Sequence, residues 1–448
     1  MRLAGIVLLL CPAGNLLAVE QPATVLLVSI DGLRPDYVLE ADRYGLKVPN
    51  LRRLLAEGAH ASAMIGVLPS VTYPSHTTMV TGVSPARHGI FANTTFDPLG
   101  RNLEGWYWYA EDIRVPTIWD AAAEAGLVTA SVDWPVTVGA RITHNIVQYW
   151  RSSGVDAPDD AKLKRVLSTP GLLAEAERAL GPYPAGEANR IEDDRRRAAF
   201  NVYLLDTRHP RLQLAYFSAL DDEQHASGPG SAPALAILEA IDTLLGQVRA
   251  AAEKSGGGRA VIAVVSDHGH NRTVRELRLN EALRAAGMIL LDEKGKRTDW
   301  KAFAWGRGGS AAIMLRDPED RATRQAVSDV LSRLAALPDT PIQKVLDGAE
   351  ARAAGSYPDA AFLVSAMPGV RIVDAMEGEV VQPGLPRGTH GFLPDSPDMH
   401  AAFFIAGPGI PRGQDLGRID MCDVAPTVAA LLGLPLPTAE GRNLLARR

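Results

Sequence analysis

Cysteine is nearly absent from this 448-residue chain. Only Cys11 and Cys422 are present, which excludes a fold stapled by disulfides. A dominant charge of one sign is missing too. Lys plus Arg total 46 against 52 Asp plus Glu, a formal net charge of −6. No global basic field therefore draws in polymeric nucleic acid or anionic lipid, and any phosphate must be held by local chemistry. The N-terminal apolar run LAGIVLLL (Leu3 to Leu10) falls well short of the roughly 20 residues that span a bilayer, so no stable membrane span is expected. There is no internal repeat and no long Ser/Pro linker. What is present is ordinary globular composition, 46% hydrophobic and 22% charged. That is enough for a sizeable core, in several domains or in one large α/β domain carrying an insertion.

Residues 1–18 read as a cleavable secretory signal: one positive charge at Arg2, the short apolar run, and Leu16-Leu17-Ala18 before Val19. A buried first strand or helix is the alternative. The signal implies a periplasmic or secreted protein and leaves Cys422 as a lone, core-packed thiol. Beyond it, short apolar runs alternate with helical periodicity, the pattern of an α/β fold whose mostly parallel sheet is sandwiched by helices. TVLLVSID, LVTASVD, RLQLAYFSALD and RAVIAVVSDHG read as strands. VPNLRRLLAEG, TIWDAAAEAG and the segment from Ala232 to Ser255 read as helices. Three strands end on aspartate, and in open α/β sheets the ligand crevice lies at the carboxyl ends of the strands. From 276 to 385 the texture changes to an inserted α+β subdomain, with helices RELRLNEALRAAG and RATRQAVSDVLSRLAAL and strands SAAIMLRD and AAFLVSAMPG. The catalytic core is expected over 19–275 and 386–448.

Thr72 precedes Tyr73-Pro74 in VLPSVTYPSHTTMVTGVSPARHGIFAN, so it sits near the start of a helix. A hydroxyl held there beside a metal can serve as a nucleophile, and a plain capping threonine is the simpler reading. Asp and His residues gather at strand ends. Asp267 and His268 are adjacent, Asp221 precedes His225 by four residues, Asp31 ends the first strand, and His390 lies in GTHGF. Imidazole and carboxylate ligands without thiolates suit Zn²⁺, and this many ligands imply two ions. His270 and His76 are assigned structural roles. The carboxylate choice between Asp221 and Asp222 stays open.

The ordered set LVSIDGLRPDY, PSVTYPSHTTMVTGVSPARHGI, PTIWDAAAEAG, DWP, DDEQHASGP, VVSDHG, GTHG and DVAPTVAALLG resembles the type I phosphodiesterase/nucleotide pyrophosphatase branch of the alkaline phosphatase superfamily, from about Val25 to Asn443. The resemblance implies an alkaline phosphatase-like core and two Zn²⁺ per chain. One ion would be held by Asp31, Asp267, His268 and the Thr72 hydroxyl, the other by Asp221, His225 and His390. It further implies a phosphothreonine intermediate on Thr72, Asn93 donating to a phosphoryl oxygen, and a small phosphodiester or nucleotide substrate. Tyr73 and Trp134 are the expected substrate-binding aromatics, and the cluster Trp106 to Tyr109 is either further stacking surface or a buried strand. Oligomeric state is left open.

Three other activities compete. Phosphonoacetate hydrolase, a relative, carries lysines in the loop that here reads TASVDWPVTVGA, which has none. A phosphomonoesterase remains an alternative. Sulfatases need Cys or Ser two residues before a Pro, where Val83 stands before Pro85. From another class, a non-catalytic zinc-dependent binding protein needs neither the nucleophile nor the full ligand set.

Overall fold

Seven consecutive buried residues, Thr24–Ile30, form the strand on which the molecule is organised. In the computed structural model, which describes residues 21–446 except 103–104, 152–157 and 186–189, the expected signal segment lies outside the described residues. Side chains alternate across a strand, and here each face finds its own core. Leu26, Val28 and Ile30 pack with Leu51 and Leu54 of helix Pro49–Glu57 and with Leu238, Ile241 and Leu245 of helix Ala232–Ser255. Val25 and Leu27 pack against Met79 and Val80 of helix Thr72–Thr81, Trp119 of helix Ile118–Glu124, and Val428 of helix Val424–Leu432. Burial on both faces explains why the strand is continuously apolar. Each such Leu, Ile or Val contributes about 1.5–3 kcal/mol relative to an exposed one.

The sheet has eight strands in the order Gln414–Asp415, Ala59–His60, Phe403–Ala406, Ala260–Val265, Thr24–Ile30, Leu212–Phe217, Thr129–Val132 and His144–Ile146. All neighbours run parallel except at Phe403–Ala406, which is antiparallel to both of its partners. The mostly parallel sandwich is therefore as expected. Because Ile30 pairs with Phe217 and Ser29 with Val265, Asp31, Ser218 and Ser266 leave the sheet at one edge. The third of the expected strand-end aspartates is displaced. The strand stops at Phe217, and Asp221 belongs to helix Ala219–Ser227.

The inserted unit has its own antiparallel sheet of Ala302–Trp305, Ser310–Leu315, Phe362–Ala366 and Ile342–Asp347. Helices Leu279–Ala285 and Arg321–Ala335 pack on it through Leu283, Val327 and Leu331. Its outgoing strand Asn271–Leu277 pairs with the returning strand Val381–Thr389, Asn271 opposite Thr389. Both edges expected at 276 and 385 fall inside this stem. The helix expected from Arg275 starts only at Leu279, because Arg275 to Leu277 pair with strands on both sides. Trp106 and Tyr109 make isolated bridges only, and no strand forms from Trp106 to Tyr109.

Candidate active site

Two groups of acidic and imidazole side chains meet at the carboxyl edge of the parallel strands. In the first, Asp31 follows Ile30 directly, and Asp267 and His268 follow Val265 by two and three residues. All three are buried. One oxygen of each carboxylate is fixed by donors: Asp31 Oδ2 accepts from Tyr216 Oη–H, and Asp267 Oδ1 from the Gly32 and His268 amides at 3.1 Å each. The other oxygens, Asp31 Oδ1 and Asp267 Oδ2, are buried with no hydrogen-bond partner among the described residues. They lie 3.4 and 3.1 Å from His268 Nε2. His268 Nδ1 faces the Gly269 carbonyl at 3.1 Å and so carries the ring proton, which turns the Nε2 lone pair toward the two orphan oxygens. Burial pushes the imidazole down to about 3 and keeps it neutral. Burial, Asp267 and Asp221 together drive the Asp31 carboxyl well above its ordinary range. Three electron pairs converge with no positive charge between them, an arrangement that calls for a cation.

The second group rests on the helix Ala219–Ser227, where a spacing of four places Asp221 and His225 on one face. His225 Nε2 lies 3.4 Å from Asp221 Oδ2. His390, just beyond the returning strand of the insertion, brings Nε2 to 3.9 Å from Asp221 Oδ1. Each imidazole places Nδ1 on a backbone carbonyl, His225 on Gly388 at 3.0 Å and His390 on Ser70 at 3.2 Å. That outer hydrogen bond fixes tautomer and ring orientation in metal-binding histidines. Ligand atoms of Asp221, His225, His270 and His390 all lie within 4.8 Å of one another, as do those of Asp31, Asp221 and His268. The geometry thus brings Asp221, not Asp222, among the histidines. Asp222 lies outside both groups, and burial together with the Asp221 charge pushes its carboxyl up to about 6.

His270 was assigned a structural role from sequence, yet its Nε2 sits 2.5 Å from Asp221 Oδ1. The signal the sequence offers is the spacing of two from His268.

Thr72 is the first residue of its helix rather than the cap, which is Val71, and its side chain makes no capping bond. Its Oγ1 lies 3.5 Å from His268 Nε2, facing the first group. Behind it His76, fully buried, pairs Nδ1 with the Thr72 carbonyl and Nε2 with Ser29 Oγ, both at 2.8 Å. Asn93 Oδ1 accepts the Tyr73 amide at 2.9 Å, which leaves the Asn93 amino group as the donor on its other side.

The two expected substrate-binding aromatics are not surface. Tyr73 is 1% exposed, with its hydroxyl donating to Gln148 at 2.6 Å, and Trp134 is 0% exposed, its ring against His76. Tyr73 lies within the Thr72 helix itself, and Trp134 packs against that helix through His76. The cavity that opens on the site, about 290 Å³, has Asn93, His225 and His390 at its floor. Its walls include Trp106 and, from the insertion, Trp305, Arg297 and Arg307.

The model of the family described as type I phosphodiesterase/nucleotide pyrophosphatase matches residues 25–393. Among curated proteins, the chain is 28% identical over 253 residues to an uncharacterised pyrophosphatase/phosphodiesterase of Schizosaccharomyces pombe, covering 55% of this chain and 44% of that protein. It is 26% identical over 274 residues to ectonucleotide pyrophosphatase/phosphodiesterase family member 3 of Rattus norvegicus, covering 59% of this chain and 26% of that one. The chain therefore spans between a quarter and a half of the length of these relatives. Human family member 5 superposes with a TM-score of 0.66 at 22% identity, over 92% of this chain and 95% of its own. An inactive variant of the murine member 5, solved in complex with AMP, gives 0.64 at 20% identity over 94% and 97%. These superpositions identify the fold as alkaline phosphatase-like. With the family model running from the first strand to just past His390, the chain belongs to the type I phosphodiesterase/nucleotide pyrophosphatase family.

Proposed function

We propose that the protein is an exported two-zinc hydrolase that cleaves small phosphodiester or pyrophosphate substrates through a phosphothreonine at Thr72. The observation that carries this reading is the pair of orphan carboxylate oxygens facing a neutral imidazole beside the Thr72 hydroxyl. The donors fit zinc. Two ligands on one tetrahedral zinc stand about 3.3 Å apart, and Nε2 of His268 lies 3.4, 3.1 and 3.5 Å from Asp31, Asp267 and Thr72. Asp31, Thr72, Asp267 and His268 would hold one ion, and Asp221, His225 and His390 the other. Bound zinc supplies the positive charge that lowers the pKa of an attacking hydroxyl and polarises phosphoryl oxygen.

The chain's own groups do the rest. Thr72 Oγ1 attacks phosphorus in line, and a new O–P bond forms as the bond to the leaving oxygen breaks; water then attacks the same phosphorus and the Thr72 Oγ1–P bond breaks, which releases the phosphate ester of the retained group and restores the Thr72 hydroxyl. His76 holds the Thr72 backbone, so the nucleophile is positioned before substrate arrives. The Asn93 amino group, fixed by the Tyr73 amide, offers a preorganised donor to phosphoryl oxygen. Aromatic and guanidinium groups in the cavity suit a nucleotide or a comparable small ester. The relatives' names, ectonucleotide pyrophosphatases among them, agree with that substrate class and with export.

The test is metal content followed by hydrolysis of bis(p-nitrophenyl) phosphate, the matching monoester and a nucleotide p-nitrophenyl ester. Diester turnover well above monoester turnover is expected. Thr72→Ala should lose at least a thousand-fold in kcat while keeping both zinc ions, and near-wild-type turnover in that variant rules out the covalent route.

A further inference from the structure

His270 stands apart from the other site histidines in what its two ring nitrogens meet. His225, His268 and His390 all place Nδ1 on a backbone carbonyl. The His270 ring is fully buried, its Nδ1 has no partner, and its Nε2 lies 2.5 Å from Asp221 Oδ1. The proton of a neutral ring belongs where it has an acceptor, so Nε2–H donates to the carboxylate.

That separation is too short for two ligands of one tetrahedral zinc, which stand about 3.3 Å apart. The remaining oxygen, Asp221 Oδ2, lies 3.4 Å from His225 Nε2 and meets that spacing. The ring also occupies a slot that only glycine can wall. A Cβ at Gly388 would come within 2.9 Å of His270 Nδ1 and 2.3 Å of the Gln224 carbonyl. At Gly32, where φ is +70°, a Cβ would come within 3.1 Å of His270 Cδ2. A ring so confined can reach Asp221 in one pose only.

We infer that His270 is a positioning residue for the second metal site: by donating to Asp221 Oδ1 it commits Asp221 Oδ2 to the ion as a single-oxygen ligand. This rests on the two-zinc reading above. Loss of such an outer hydrogen bond typically weakens metal binding by about 10- to 100-fold.

The experiment is a zinc titration of the purified full chain against a competing chelator, with no substrate present, for wild type, His270→Leu and His270→Gln. The glutamine amide nitrogen falls near the position of Nε2 and restores the donor, yet glutamine is a poor zinc ligand. We expect the leucine variant to bind one of its two zinc ions about 10- to 100-fold less tightly, with the other unchanged as the check on folding. The glutamine variant should return to within a few-fold of wild type. Wild-type affinity at both sites in His270→Leu overturns the inference. So does a glutamine variant as weak as leucine, since that behaviour belongs to a direct ligand. If neither leucine nor glutamine yields folded protein, His270→Asn, whose amide stops short of Asp221, is compared with wild type, and undiminished binding there overturns it equally. Wild-type protein with fewer than two zinc ions overturns the functional reading itself, whereas two ions with an unaffected leucine variant overturns only the role of His270.

Discussion

His88 is fully buried at the end of a short helical turn, where its Nδ1 accepts the Ile90 amide at 3.1 Å and its Nε2 pairs with Thr78 Oγ1 at 3.0 Å. Burial pushes it down to about 3, from an ordinary 6.5. Between those pH values the unfolded chain takes up a proton that the folded chain refuses. The stability His88 contributes is therefore whole above pH 6.5 and is lost as pH falls toward 3, by up to about 1.4 kcal/mol per pH unit. His88→Asn, which keeps an acceptor for Ile90, should flatten the stability–pH slope between pH 6 and 4 by close to one proton. Urea midpoints across that range measure it, and parallel slopes would contradict the assignment. Residue types at the site were legible because Asp and His gather at strand ends and Thr72 stands two residues before Pro74. The side of a wall on which an aromatic lies was not legible. Tyr73 and Trp134 are the same residue types as pocket aromatics, and only tertiary packing shows both buried while Trp305 and Arg307 line the cavity.

The helix carrying Asp221 and His225 begins without a side-chain cap of its own. Its first amides, Ser218 and Ala219, donate to the Asp194 carboxylate at 3.2 and 3.0 Å, from a helix distant in sequence, Ile191–Arg208. Asp194 is fully buried and also pairs with Arg197 at 2.8 Å, while Arg197 reaches Asp133 at 2.7 Å. Asp194→Ala leaves helix amides uncapped and removes one of the charges around Arg197, at a cost of about 3–5 kcal/mol. It should lower the urea midpoint and, on the two-zinc reading, weaken binding of the ion proposed at Asp221 and His225 more than of the other, and a variant with an unchanged midpoint would contradict this. The same helix shows why elements were unevenly legible. Sheet strands announced themselves as apolar runs, but Ile191–Arg208 turns Asp194 and Arg197 inward where an amphipathic pattern expects apolar residues. The returning strand Val381–Thr389 contains Pro383, which pairs with Arg275, and Pro386, which falls in the register shift between Pro383 and Arg387.

Across the whole molecule, the metal groups join segments that no single core unites. Asp31 and Asp267 belong to neighbouring strands, Asp221 to a helix, and His390 to the far side of the insertion. On the two-zinc reading, removing the metal would leave buried acidic groups facing each other with no cation between them, and a ligand at a thousand times its Kd contributes about 4 kcal/mol to the folded state. Chelation should therefore lower Tm by several degrees, with full recovery on zinc but not magnesium. Calorimetry with and without chelator checks this, and an unmoved Tm would argue against metal at either group. The change in texture read from 276 to 385 coincides with a separate four-stranded sheet, and the expected edges at 276 and 385 lie within the paired strands Asn271–Leu277 and Val381–Thr389.

The stem has one more consequence. Asn271 and Thr389 close a loop on the order of 100 residues. Asp31, Thr72, Asp267 and His268 all precede that loop, whereas His390 follows it. A polypeptide emerges N-terminus first, at roughly 5–20 residues per second. The proposed ligands of the first ion have thus all emerged about 10 s before the last ligand of the second. On the two-zinc reading, the ligand set of one ion is therefore complete in the growing chain before that of the other.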